Sequence, residues 1–124
     1  MVCIREDKIV INDYIENDPL SEENLDKTLE TVNRFRLSLP NKSIWLYSGY
    51  DYQKVMRQLP NLATKENYNM YKRQQIIKQC TVMVDGRYID SQRNPSKKWA
   101  GSNNQHVIDI QQSLQKGEIV LWKC

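Results

Sequence analysis

Ser43-Ile-Trp-Leu-Tyr-Ser-Gly-Tyr50 is the stretch on which the fold turns. After Ser43, Ile44-Trp-Leu-Tyr47 is an unbroken aliphatic and aromatic run that ends at a small-residue turn, as a buried strand does where it leaves a sheet. Upstream, Lys8-Ile-Val-Ile-Asn12 reads as another buried strand, followed by the polar turn Glu16-Asn17-Asp18-Pro19. Between the two, Leu25, Leu29, Val32, Phe35 and Leu39 recur at helical spacing and predict one apolar face. Ser21 is the expected N-cap, Glu22 and Glu23 suit the positive end of the helix dipole, and Pro40-Asn41 stops the helix. Strand, helix and strand with short connections predict a βαβ unit and a parallel sheet.

The same alternation continues less cleanly. Tyr52, Val55, Met56 and Leu59 predict a short helix ended by Pro60, and Tyr68, Tyr71, Gln75, Ile76 and Gln79 predict a second. Thr81-Val-Met-Val84 reads as a compact strand with Asp85-Gly86 turning at its carboxyl end. Residues 91–105 have loop composition, and Val107-Ile-Asp-Ile110 and Glu118-Ile-Val-Leu-Trp122 read as strands. No linker or low-complexity stretch divides the chain, so residues 1–124 are expected to form a single α/β domain, mostly parallel sheet with flanking helices.

Composition excludes several classes. With 124 residues, 40% hydrophobic and 27% charged, the chain is long enough for a core and too apolar for a disordered tail. No apolar run approaches a membrane span, and Met1–Lys8 lacks the apolar region of a signal peptide; a cytoplasmic protein is expected. Cys3, Cys80 and Cys124 are too scattered for a disulfide scaffold or a CxxC metal site. Charge is uneven: residues 1–35 hold nine acids against four bases, and residues 54–98 ten bases against three acids. The basic middle reads either as a solvated helix face or as a phosphate-facing surface, with Tyr68 and Tyr71 beside Lys72 and Arg73 the one hint of a nucleic-acid site.

Ligands of parallel α/β sheets gather at the carboxyl ends of the strands. Asn17-Asp18-Pro19, Ser48-Gly49-Tyr50 and Asp85-Gly86-Arg87 each fall there, either as plain turns or as loops that let backbone approach a ligand. Asp85, at the end of an apolar strand, is the best carboxylate candidate for such a cleft. His106, the only histidine, reads as incidental, and neither a nucleophile elbow nor a phosphate loop is present.

Taken in order, Ser43–Tyr50, Thr81-Val-Met-Val-Asp-Gly-Arg-Tyr-Ile89, Trp99-Ala-Gly-Ser-Asn-Asn-Gln105, Val107-Ile-Asp-Ile-Gln111 and Gly117-Glu-Ile-Val-Leu-Trp122 resemble one family. It is the anaerobic ribonucleoside-triphosphate reductase activating protein family of radical SAM enzymes, and the likeness is to its C-terminal half, across roughly residues 17 to 122. The resemblance implies a fragment of a partial TIM-like barrel. It also implies S-adenosylmethionine cleaved at a [4Fe-4S] cluster, and a glycyl radical raised on the reductase, which is the implied partner. By the same resemblance Asp18, Ser48, Gly49, Tyr50, Asp85 and Gly86 face S-adenosylmethionine.

Two departures bear on that activity. The family's CxxxCxxC cluster motif is missing, so no metal ligand or catalytic residue is assigned and no cluster is expected on this chain alone. The family's glycine pair is replaced by Glu16-Asn17, whose side chains would crowd the methionine end of the cofactor. The expectation is therefore a truncated or split activating protein, inactive alone, whose N-terminal half is encoded separately. The alternatives are a degenerate module that docks on the reductase and, more remotely, a small basic nucleic-acid-binding protein. A partial barrel leaves an open strand edge, so self-association or a partner is expected.

Overall fold

A computed structural model describes residues 2–5 as a strand, residues 8–12 and residues 18–123. Glu16 and Asn17, where the glycine pair is replaced, lie outside the described residues, as does Cys124. The elements run β1 (Val2–Arg5), β2 (Lys8–Ile11), α1 (Leu25–Ser38), β3 (Ser43–Tyr47), α2 (Tyr52–Val55), α3 (Lys65–Lys78), β4 (Val82–Asp85), a 3-10 turn (Asp90–Gln92), β5 (His106–Asp109) and α4 (Ile110–Lys116).

The five strands form one sheet in chain order, β1-β2-β3-β4-β5. The β2–β3 and β3–β4 pairs are parallel, whereas β1–β2 and β4–β5 are antiparallel. The sheet is thus mixed, a parallel centre with an antiparallel strand on each side, and not mostly parallel as expected. β5 runs antiparallel because residues 91–105 return the chain to the carboxyl end of β4 without a crossover helix.

Alternation sorts the two faces. Ile9, Ile11, Ile44, Leu46, Met83 and Ile108 join the core beneath α1 and α3. In α1 the predicted stripe is correct: Leu25 and Val32 are buried, and Leu29, Phe35 and Leu39 pack against the core. The helix begins later than expected, with Asn24 as its N-cap, because residues 18–24 first make tight turns: Ser21 N donates to Asp18 O at 2.9 Å and Asn24 N to Ser21 O at 3.0 Å. Arg36 ties the ends of the layers together, donating from Nε and Nη2 to Gln79 O at 2.9 and 2.6 Å and from Nη1 to Lys42 O at 2.8 Å.

The other face carries an aromatic cap. Trp45, buried in β3, meets Trp99 at 5.0 Å and Trp122 at 5.5 Å between ring centroids. The Lys8 ammonium stands 4.2 Å from both the Trp45 and Trp99 rings. Trp99 reaches this position from a backbone φ of 71°, which a bulky residue rarely adopts.

The expected strand 118–122 forms only a single bridge, Ile108 to Leu121, because Gly117 at φ 69° ends α4 just before it. Even so, Asp109 N donates to Val120 O and Trp122 N to Val107 O, both at 2.8 Å, so the segment covers the outer side of β5. No helix among the described residues is long and apolar enough to cross a membrane.

Candidate functional site at the carboxyl edge of the parallel strands

Because β2, β3 and β4 are parallel neighbours, the loops that leave them converge on one edge. The Asp18 carboxylate joins the first two. Its Oδ1 accepts from Leu20 N at 2.9 Å and from Ser48 Oγ at 2.8 Å, and its Oδ2 accepts from Gly49 N at 2.6 Å. Ser48 Oγ in turn accepts from Tyr50 N at 3.0 Å. Gly49 matters for close approach: a Cβ there would stand 3.0 Å from Arg87 Cγ and 3.2 Å from Asp18 Oδ2.

The third loop is tied in through Asp85 and Gly86. Asp85 is buried, its Oδ2 accepting from Tyr52 N at 2.9 Å at the start of α2 and its Oδ1 from His106 N at 3.1 Å. The same Oδ1 lies 3.0 Å from His106 Nδ1, so the histidine that sequence reasoning set aside is oriented by the best carboxylate candidate. Gly86 takes φ 86°, a left-handed conformation open to glycine, and donates from N to Tyr50 O at 3.3 Å. All six expected residues (Asp18, Ser48, Gly49, Tyr50, Asp85 and Gly86) therefore belong to one hydrogen-bonded assembly.

The Gly101-Ser-Asn-Asn-Gln105 segment braces this edge from outside. Gln105 Oε1 accepts from Gly101 N at 2.9 Å and Ser102 N at 3.1 Å, while its Nε2 donates to Gly86 O at 3.0 Å. Asn104 Nδ2 donates to Arg87 O at 2.8 Å, and Lys97 Nζ donates to the carbonyls of Asn103 and Gln105. Sequence reasoning also missed Arg73. Read as one of the solvated bases, it is buried behind the first two loops, beside Leu20 and Tyr50.

The basic middle is partly neutralised within the chain. Lys65 pairs with Glu22 and Lys72 with Asp26, each at 2.6 Å, so the acidic first third and the basic middle meet across α1 and α3. Lys65 holds the Glu22 carboxyl below its usual range, and Glu22 raises the Lys65 ammonium in return. Tyr68 and Tyr71 stack at 6.4 Å, but the two bases beside them are committed, Lys72 to Asp26 and Arg73 to the interior.

An iron-sulfur cluster does not fit the described residues, among which no group of three or more His, Cys, Asp or Glu is placed to hold a metal. Cys80 is fully buried just before β4, at the opposite edge from the loops, and burial pushes its thiol up to about 12. Such a thiol stays protonated, whereas a cluster ligand must be a thiolate.

The protein family described as a 4Fe-4S single cluster domain matches residues 16–108. The anaerobic ribonucleoside-triphosphate reductase-activating protein of Escherichia coli K12 is 32% identical over 90 residues, which cover 73% of this chain and 49% of that protein. The protein of the same name from Vibrio cholerae is 33% identical over the same coverage, and that of Enterobacteria phage T4 is 29% identical over 91 residues, 73% of this chain and 47% of its own. The chain spans about half the length of these relatives. No solved structure matches at a comparable level of significance. With a match running through most of its length, and with the loops that carry the resemblance gathered on one sheet edge, the chain belongs to the 4Fe-4S single cluster domain family.

Proposed function

We propose that this chain is the C-terminal part of an anaerobic ribonucleoside-triphosphate reductase-activating protein, working in the cytoplasm with the reductase as its partner. In that reading it supplies one wall of the S-adenosylmethionine cleft and does no radical chemistry alone. The observation that carries the reading is the clamp of Asp18 on Ser48 and Gly49, which makes one surface of two loops at the carboxyl edge. The strand order supports it as well. β2, β3 and β4 follow one another without reversal, with α1 and α3 packed together, as successive units of a barrel wall do.

The chemistry of the complete enzyme needs a cluster that the described residues do not offer. In this reading the cluster ligands come from outside the described residues, on a segment that packs against the Asp18–Tyr50 edge. Asp18 and Asp85 each accept from protein donors, and the Gly49 and Gly86 amides are likewise engaged within the chain, so their part is to shape the loops, while the Tyr50 ring is the surface offered to the ligand.

Anaerobic reconstitution tests this reading. The chain alone, given iron and sulfide, is expected to form no stoichiometric [4Fe-4S] signal perturbed by S-adenosylmethionine. Mixed with a CxxxCxxC-bearing half from a relative, it is expected to restore both that signal and glycyl-radical formation on the reductase. A cluster on the chain alone refutes the division of labour. Capture of the reductase without any restored radical favours the second reading, a docking module, which the internally satisfied carboxylates of the cleft also suit.

A further inference from the structure

Arg73 lies within α3 yet is only 7% exposed. Its Nε donates to the Leu20 carbonyl at 2.7 Å, its Nη2 donates to the Tyr50 hydroxyl at 3.3 Å, and its guanidinium carbon stands 4.6 Å from the centroid of the Tyr50 ring. No carboxylate pairs with it among the described residues. A guanidinium buried in this way carries a desolvation cost that an apolar side chain of similar length avoids. Packing alone therefore does not account for an arginine here, whereas its three contacts do.

We infer that Arg73 is the positioning residue of the cleft, a planar fork that holds the loop after β2 and the loop after β3 in one fixed relation. Leu20 lies two residues beyond Asp18, and Tyr50 two beyond Ser48. Arg73 thus braces from the helix layer the same two loops that Asp18 clamps at the strand ends. The links run in series: Arg73 to Tyr50, Tyr50 N to Ser48 Oγ, and Ser48 Oγ to Asp18 Oδ1. Releasing Tyr50 slackens the whole series. A lysine keeps the charge but cannot reproduce a fork that donates to one loop while stacking on the other. The importance of this brace for ligand affinity rests on the function proposed above; the brace itself does not.

Amide hydrogen exchange on the full chain tests it, with Arg73→Lys, Arg73→Met and Tyr50→Phe against the wild type. In both Arg73 variants the Gly49 and Tyr50 amides are expected to exchange about tenfold faster, with a smaller gain in Tyr50→Phe. The Ile77 and Met83 amides of the core keep their protection, and the melting temperature moves by no more than about 4 °C. Unchanged exchange at Gly49 and Tyr50 overturns the inference, and so does an equal loss of protection at loop and core in both Arg73 variants. Titration of the same proteins, each mixed with a CxxxCxxC-bearing half from a relative, with S-adenosylmethionine reads the dependent part, with binding about tenfold weaker in Arg73→Lys expected. A wild-type mixture that takes up no S-adenosylmethionine counts against the proposed function, and the exchange result still decides the role of Arg73.

Discussion

The Oδ2 atom of Asp18 stands 2.6 Å from the amide nitrogen of Gly49, so the loops after β2 and β3 share a single carboxylate. Asp18 serves three donors in all, Leu20 N, Ser48 Oγ and Gly49 N. Asp18→Ala strands them and is expected to cost about 2–4 kcal/mol, read as a lowered urea midpoint. Asp18→Asn keeps one oxygen for Leu20 and Ser48 but turns a donor toward the Gly49 N–H, so its loss is smaller. A stability equal to wild type in Asp18→Ala would remove the clamp from the account.

The two glycines of the edge fail for different reasons. At Gly49 the obstacle is space: a methyl meets Arg87 Cγ, which can swing away, and Asp18 Oδ2, which is pinned. Gly49→Ala is expected to cost about 1–2 kcal/mol, of which Arg87→Ala in the same chain recovers only part. At Gly86 the nearest atom is 3.6 Å away and the obstacle is φ, so Gly86→Ala costs about 1 kcal/mol and Gly86→Asn less. Thermal melts of the four variants check the contrast, and a full rescue of Gly49→Ala by Arg87→Ala would show that Asp18 yields.

Asp85 and His106 form an unequal pair. The Asp85 side chain is 2% exposed and that of His106 52% exposed. Removing the carboxylate in Asp85→Ala leaves the Tyr52 and His106 amides without their acceptor, at about 3 kcal/mol. Removing the imidazole in His106→Ala spares both backbone bonds and costs about 0–1 kcal/mol. Equal losses in the two variants would mean that the imidazole carries the contact.

Cys80 provides a pH test. Burial lifts its thiol from the usual 9.0 to about 12, a proton held more tightly in the folded state. The stabilising contribution is complete below pH 9.0 and is lost as pH rises toward about 12. Cys80→Ser, with no thiol to ionise, is expected to flatten the loss of stability across that window, measured by urea melts at stepped pH. Under native conditions at neutral pH, iodoacetamide followed by peptide mapping should leave Cys80 unmodified, whereas urea should expose it. Rapid native alkylation of Cys80 would contradict its burial.

The central βαβ architecture was legible because β2, β3, β4 and α1 bury continuous or evenly spaced apolar residues, and periodicity reports burial directly. The six edge residues were legible for a related reason: once parallel strands are placed, their exit loops have nowhere else to meet. What stayed hidden depends on partners distant in sequence. α3 buries Arg73 and Gln74 beside Ile76 and Ile77, and Gln74 Nε2 donates to Val55 O and Arg57 O, so polar residues sit where the stripe should be apolar. α4 buries only Ile110 and Ser113 in seven residues, too few for a periodic signal, although Asp109 as N-cap and Gly117 at the far end mark its limits. β1 is not legible because its four residues are too few to set up an alternation beside the charges that follow them.

All three tryptophans of the chain belong to the aromatic cap. The intrinsic ultraviolet emission of the protein is therefore a local gauge of the sheet face away from α1 and α3. It will follow the docking of residues 99 and 122 onto Trp45, and it carries little information about the Asp18–Tyr50 edge, whose own ring is the Tyr50 phenol. Ligand titrations that watch tryptophan alone can stay silent while the cleft fills. A probe placed on the exposed Arg87 side of Gly49, or the Arg73 Nε–H resonance itself, looks at the right end of the strands.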